Sequence, residues 1–382
     1  MGALSGFSIV EFAGIGPVPF CGMLLADMGA DMLRIDPVEE AGRGIGLPPR
    51  YQVMARGKRT IAIDLKRPRG RELALALVER ADALVEGFRP GAMERLGLGP
   101  DPCLARNPRL VYGRMTGWGQ DGPWAQAAGH DINYIALAGA LFPIGERDGD
   151  PLPPLNLVGD FGGGALYLCV GVLAALLEAS RSGRGQVVDA AIVDGAASLL
   201  APLLGRLSHG SWVERRASNA FDSGAHFYAT YRTADGAHVA LGAVEAKFYR
   251  TLLDVLGLAD DADFRDRQMD RSAWPGLKAR LAAIFAQRSQ AQWCQAFAGR
   301  DACFAPVLPP SAARRHPHLH ARGTIVERDG VLEPAPAPRF GRTPSAPGDR
   351  PAGPGADTDA VLRHMGLGED EIAALRQERV VA

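Results

Sequence analysis

The sequence predicts an α/β protein built on a parallel, doubly wound sheet, with a second, smaller α+β domain. Three observations carry that expectation: a strand, turn, helix and strand at the start, repetition of the pattern through Arg114, and hairpin patterning beyond Trp212. At 382 residues the chain has room for two or three domains with sizeable cores.

Ser8–Phe12 reads as a short apolar strand. A Gly/Pro turn follows at Gly14–Pro19, then a helical pattern over Phe20–Gly29 and a strand over Met32–Asp36. The alternation continues with a strand over Thr60–Asp64, a helix over Arg69–Ala81, and strands over Ala83–Glu86 and Leu110–Arg114. Such strands connected by helices imply a parallel sheet. From Trp212 the pattern changes: His226–Tyr231 and His238–Leu241 read as strands around the Ala234-Asp235-Gly236 turn, a hairpin signal. Ala- and Arg-rich helical segments run on to Ala298. Glu333–Gly355 is rich in Pro and Gly and reads as an extended return across the surface, and Asp357–Arg379 as an amphipathic helical tail. No internal repeat is visible.

Lys and Arg together number 42 against 43 Asp and Glu, a formal net charge of −1, so no global basic field points to nucleic acid. The balance conceals a skew, because only Lys58, Lys66, Lys247 and Lys278 of the 42 basic residues are Lys and the other 38 are Arg. Arg grips phosphate and carboxylate bidentately, so its local clusters matter more than the total. The five Cys residues are widely spaced without a C-x-x-C pair, which argues for a reducing compartment, the cytoplasm, and against a disulfide framework or zinc ribbon. The opening residues lack the basic and apolar regions of an export signal, and Gly6 stands where a myristoylation motif needs Ser or Thr. Phe161–Leu177, the longest uncharged stretch, has 17 residues and four glycines, and is expected to be a buried core helix.

Several segments could carry chemistry. Gly14-x-Gly16 with Asp36 some twenty residues on invites a dinucleotide reading, but Pro19 replaces the third glycine and removes a donor. His130-Asp131 sits in a loop after a Gly/Trp-rich turn, where a histidine can act as a base near neutral pH. In Gly159-Asp160-Phe161-Gly162-Gly163-Gly164, Asp160 is placed to cap the following helix, and the glycines would leave N–H groups open near Gly162 for a developing oxyanion. Arg56, Lys58 and Arg59, followed by Asp64-Leu65-Lys66 and then Arg89 and Arg95, form a basic series suited to polyphosphate at strand ends. His316-Pro317-His318-Leu319-His320 resembles a metal tract, but no acid or Cys completes it and no metal is expected.

Together these stretches resemble the family III CoA-transferase superfamily, in particular its α-methylacyl-CoA racemase branch. The matching segments are Phe20–Ala30, Arg56–Arg59 with Asp64–Lys66, Glu86–Gly91, Met115–Gln120, Gly129–Tyr134, Asn156–Asp160 and Gly185–Asp189. The likeness extends to Ala337–Phe340 and the closing helix over Leu362–Leu375. It implies a Rossmann-like large domain built from both chain ends, residues 1–200 and 325–382, a small domain over 220–312, and linkers at 201–219 and 313–324. It also implies an interlocked homodimer whose active site lies between subunits.

Carried onto this sequence, the resemblance makes His130 and Asp160 the two bases flanking the α-carbon of a 2-methylacyl-CoA, with Glu245 the acid paired with the histidine. Contacts to CoA and substrate fall to Arg34, Arg56, Arg59, Ile63, Asp64, Leu65, Lys66, Gly87, Phe88, Arg89, Arg95, Gly129, Asp131, Ile132, Asn133 and Tyr134. The expected partners are the acyl-CoA and a second copy of the chain, with no nucleic acid, membrane or separate cofactor, and the implied setting is fatty-acid metabolism. One departure stands out: racemases of this branch usually carry Arg directly after the strand-end acid, whereas Asp36 is followed by Pro37, closer to the transferase spelling. One phosphate contact is then either missing or supplied by Arg34 or Arg43. Inverting a centre α to a thioester needs one base on each face, and His130 with Asp160 meets that need. The alternative within the superfamily is a CoA-transferase in which Asp160 is the nucleophile.

Overall fold

The computed structural model describes residues 2–39 and 46–382, so the suggested contact from Arg43 lies outside the described residues. The chain forms two compact units, one of Met1–Ala138, Leu155–Leu199 and Thr324–Ala382, the other of Gly139–Pro154 and Leu200–Gly323. Residues 139–154, expected in the large domain, thus fall in the second unit. The stretches expected as linkers carry helices, Ala201–Ser208 and Pro317–Arg322.

In the first unit β1 (Ser8–Phe12), β2 (Asp31–Asp36), β3 (Lys58–Ala62), β4 (Ala83–Glu86), β5 (Val111–Thr116) and β6 (Val187–Ala191) form one parallel sheet in the order β3-β2-β1-β4-β5-β6. Both faces are largely buried, so the strands carry apolar residues on both sides, with Glu11, Asp36, Lys58, Thr60, Glu86 and Arg114 buried among them. Val10, Leu33, Leu84 and Tyr112 face one core, while Ile9, Met32, Val85 and Val111 face the other. Helix Pro68–Glu79 covers the first face with Leu73, Ala74, Leu77 and Val78. Helices Pro17–Asp27 and Leu166–Ser182 cover the second. The closing segment is two helices, Thr358–Met365 and Glu369–Gln377, separated at Gly366 in a left-handed conformation (φ 98°). They add Val361, Leu362, Ile372 and Leu375 to the first core, and Val381 bridges Ile63, so both chain ends complete one unit.

Further features differ from the sequence expectation. The Pro17 start of the first helix lies three residues earlier than expected, since Pro is pre-organised for a first turn. The stretch entering the second large helix is not a simple cap: Leu157–Ala165 is a π-helical run continuous with Leu166–Ser182. The combined 26 residues contain an 18-residue stretch of mean hydropathy 1.8 and are long and apolar enough to cross a membrane by length and composition. Leu168, Cys169, Val172, Leu176 and Ala179 are nevertheless buried in the unit, and only one face of the helix serves as core. Finally, β10 (Ile325–Arg328) and β11 (Val331–Pro334) form a hairpin inside the expected return, turning at Asp329-Gly330 with φ of 53° and 74°.

The second unit holds an antiparallel sheet of β7 (Tyr228–Arg232), β8 (His238–Gly242) and β9 (Phe304–Val307), in the order β7-β8-β9. Pro306 is tolerated because β9 is an edge strand. Aromatic packing dominates its core, with Phe227, Trp274, Phe285 and Trp293 all buried.

Candidate active site

The chain reverses direction across the sheet between β1 and β4, and ligands of open α/β sheets bind outside the carboxyl ends of strands at such a switch point. Two cavities open there, of about 290 and 460 Å³, and Phe88, just past β4, lines both.

The smaller cavity brings His130 and Asp160 together, with Gly87, Phe88, Arg89, Gly129 and Tyr134 among its walls. His130 immediately precedes the helix Asp131–Leu137, and its backbone N–H is accepted by Asn133 Oδ1 at 3.0 Å, so the main chain is pinned while the exposed imidazole remains available. The preceding turn is held by aromatic packing: Trp118 meets Tyr134 edge-on at 4.7 Å, and the Tyr134 hydroxyl donates to the Gly129 carbonyl. A Cβ at Gly129 would lie 2.7 Å from the Tyr134 ring and one at Gly117 only 2.0 Å, so both glycines are needed for that contact.

Asp160 lies inside the π-helical run, half-buried, with its carboxyl facing the turn after β1. A Cβ on Gly16 (φ 68°) would stand 3.0 Å from Asp160 Oδ2. Burial and then the charge of Asp131 push its carboxyl above the ordinary range, while a hydrogen bond from Asn156 and the proximity of His130 act the other way. Asp160 thus lies within a π-helical run that continues into Leu166–Ser182, rather than at the expected cap of the following helix. Gly163 would collide with the Ala196 amide at 2.6 Å if it had a Cβ, so the glycine run lets this segment pack against the helix Ile192–Leu199.

The larger cavity is walled by Asp36, Pro37, Ile63, Asp64, Leu65 and Lys66. Arg67 and Arg379 also reach it, neither of them anticipated from sequence. Arg379 arrives because the final residues fold back over β3, where the Ala382 N–H donates to the Ala62 carbonyl at 3.3 Å. It is exposed and left-handed at φ 52°.

Other expected contacts have different employment. Arg56 is 1% exposed and lies between Asp27 and Glu333, at 2.6 and 3.6 Å, so its charge is consumed within the core. Lys58 is buried against Glu11 at 2.6 Å. Arg59 pairs with Asp31 at 2.7 Å, at the opposite strand ends from the cavities. Arg34 is held by Asp36 at 2.9 Å. Asp131 is buried and outside the cavity lining, Ile132 and Asn133 are exposed beside it, and Arg95 is exposed below Gly91. Glu245 belongs to the second unit, exposed at the start of the helix Ala246–Leu256. Among the described residues no group of three or more His, Cys, Asp or Glu side chains is arranged to hold a metal, and this includes the 316–320 histidines.

Comparison with known proteins adds to this geometry. A family model described as CoA-transferase family III matches residues 4–359. The chain is 44% identical over 380 residues to "Alpha-methylacyl-CoA racemase" of Mus musculus, spanning 99% of this chain and 97% of that protein. It is 42% identical over 383 residues to the protein of the same name from Homo sapiens, again 99% and 97%. A crystal structure of a CAIB/BAIF family protein from Brucella suis superposes with a TM-score of 0.80 at 26% identity, covering 95% of this chain and 99% of that one.

Proposed function

The chain belongs to CoA-transferase family III, and on that premise we propose that it is an isomerase that epimerises the α-carbon of 2-methylacyl-CoA thioesters. The observation that carries this reading is the convergence of His130 and Asp160 on one cavity. One group removes the α-proton from one face, giving an enolate, and the other returns a proton to the opposite face; the roles exchange for the reverse reaction. For this the resting pair must hold one proton, and the raised affinity of Asp160 for its proton suits it to serve as acid in one direction and base in the other. Glu245 is proposed, by resemblance, to orient the imidazole.

CoA is the handle. Its nucleotide is proposed to occupy the larger cavity, with Lys66, Arg67 and Arg379 facing its phosphates, and its thioester end the smaller one, past Phe88. Binding energy from that remote part positions the reacting carbon between the bases. CoA is part of the substrate, and the proposed steps move only protons.

We propose that the protein works as a homodimer in the cytoplasm. Leu166, Val170 and Leu177 line the outer face of one helix at 47%, 65% and 56% exposure, an apolar stripe that a second copy would cover. All five Cys residues are free thiols, as a reducing compartment would keep them. A second reading, CoA transfer through an acyl anhydride on Asp160, draws on the Asp36-Pro37 spelling. Incubating one epimer of a 2-methylacyl-CoA with the protein and a free carboxylate separates them: both epimers appear if it isomerises, CoA on the added carboxylate if it transfers.

A further inference from the structure

Asp131 follows His130 in the chain, yet its side chain acts on the other base. Its carboxylate is buried at the start of the helix Asp131–Leu137, and Oδ1 accepts the backbone N–H of Asp160 at 2.6 Å. Gly159 makes the approach possible, since a Cβ there would lie 2.2 Å from the same oxygen. The second oxygen, Oδ2, is buried and has no hydrogen-bond partner among the described residues. A buried carboxylate half satisfied in this way is costly to keep, so a plain helix-stabilising role does not account for it.

We propose that Asp131 is a positioning residue that fixes Asp160 against His130 across the cavity, an inference that rests on reading those two as the proton-transferring pair. The linkage is short: one peptide bond joins Asp131 to His130, and one charge-assisted hydrogen bond joins it to the main chain of Asp160. A displacement of about 1 Å between catalytic groups costs on the order of a hundredfold in rate. The same negative charge raises the proton affinity of Asp160. The other groups facing Asp160 are His130 and Tyr134 from the loop and helix beside it, and Asn156. On the remaining packed elements Arg89 acts on Tyr134, and Asp189 interacts with Asp194 and with Arg114.

The test compares Asp131→Asn and Asp131→Ala with the parent enzyme, following epimer interconversion as a function of pH. The amide oxygen of Asp131→Asn still accepts the Asp160 N–H but carries no charge. Its kcat at the optimum is expected within about tenfold of the parent, with the Asp160-dependent limb moved to lower pH in both directions of reaction. Asp131→Ala is expected to lose about a hundredfold in kcat with KM within about twofold. A carboxyl 13C titration of Asp160 in Asp131→Asn, which needs no turnover, is expected to show the same downward movement and stands if the Ala variant does not fold. An unshifted Asp160 titration, or an Ala variant with parental kcat, overturns the proposal. A parent enzyme that interconverts no epimers while Asp160 still shifts instead overturns the underlying function and leaves the positioning geometry supported.

Discussion

Arg56 and Asp27 form a bidentate pair in the core, Nε to Oδ1 at 2.9 Å and Nη2 to Oδ2 at 2.6 Å, with Arg56 also donating to the Pro334 carbonyl at 2.8 Å. The guanidinium thus ties the first helix to β11. Removing one member of a buried pair leaves an uncompensated charge, here the Asp27 carboxylate, since Glu333 keeps Arg328 and Arg350, so Arg56→Ala is expected to destabilise the fold by about 3–5 kcal/mol. Denaturant unfolding measures this. The KM of the remaining folded enzyme for acyl-CoA should not change, whereas a phosphate-binding Arg56 would raise KM and spare stability.

Arg379 is the residue we propose supplies the cation that Pro37 does not. It lines the same cavity as Pro37 and Lys66, and would provide a cation where the racemase branch usually has its Arg. Arg379→Ala is expected to raise KM for acyl-CoA about tenfold, about 1.4 kcal/mol, with kcat unchanged. Steady-state kinetics at two salt concentrations check it, since a lost phosphate contact also reduces the salt sensitivity of KM.

Glu86 is buried where β4 turns into the cavity wall, accepting the Phe88 N–H at 2.7 Å and Arg114 Nε at 3.0 Å. Burial, opposed by these bonds, pushes its carboxyl up to about 7 from 4.5. A folded-state value above the unfolded one means that the folded state binds the extra proton between pH 4.5 and 7. Stability from this group is therefore greatest below that window and declines as pH rises through it. The stability of the parent relative to Glu86→Gln should fall from pH 4.5 to pH 7.5; a difference independent of pH contradicts the assignment.

Much of the large unit is legible because strands buried on both faces leave short apolar runs such as Ile9-Val10 and Ala83-Leu84-Val85, and the bounds expected for β4 match the structure. β6 was not read as a strand, since Val187 is exposed at the sheet edge and Asp189 interrupts the run. The β10–β11 hairpin announced itself only through Asp329-Gly330, a signal masked by the Pro-rich surroundings. At the site, His130 and Asp160 stood out because short motifs surround them. Arg379 did not, because only the long-range return of the tail over β3 brings it to the cavity. Conversely Arg56 and Lys58 looked like ligand groups, as nothing local in the sequence reveals Asp27, Glu333 and Glu11 waiting in the core.

The central claim is that His130 and Asp160 work as two bases on one carbon, and solvent exchange tests it most directly. One epimer of a 2-methylacyl-CoA is incubated in D2O with the parent enzyme, His130→Ala or Asp160→Ala, and C2 is followed by proton NMR and chiral separation. The expected result is deuterium at C2 in both epimers with the parent, and loss of interconversion, by at least about a hundredfold, in each variant. Unlabelled substrate with CoA moved to an added carboxylate, or a His130→Ala variant that interconverts epimers at the parental rate, would contradict it.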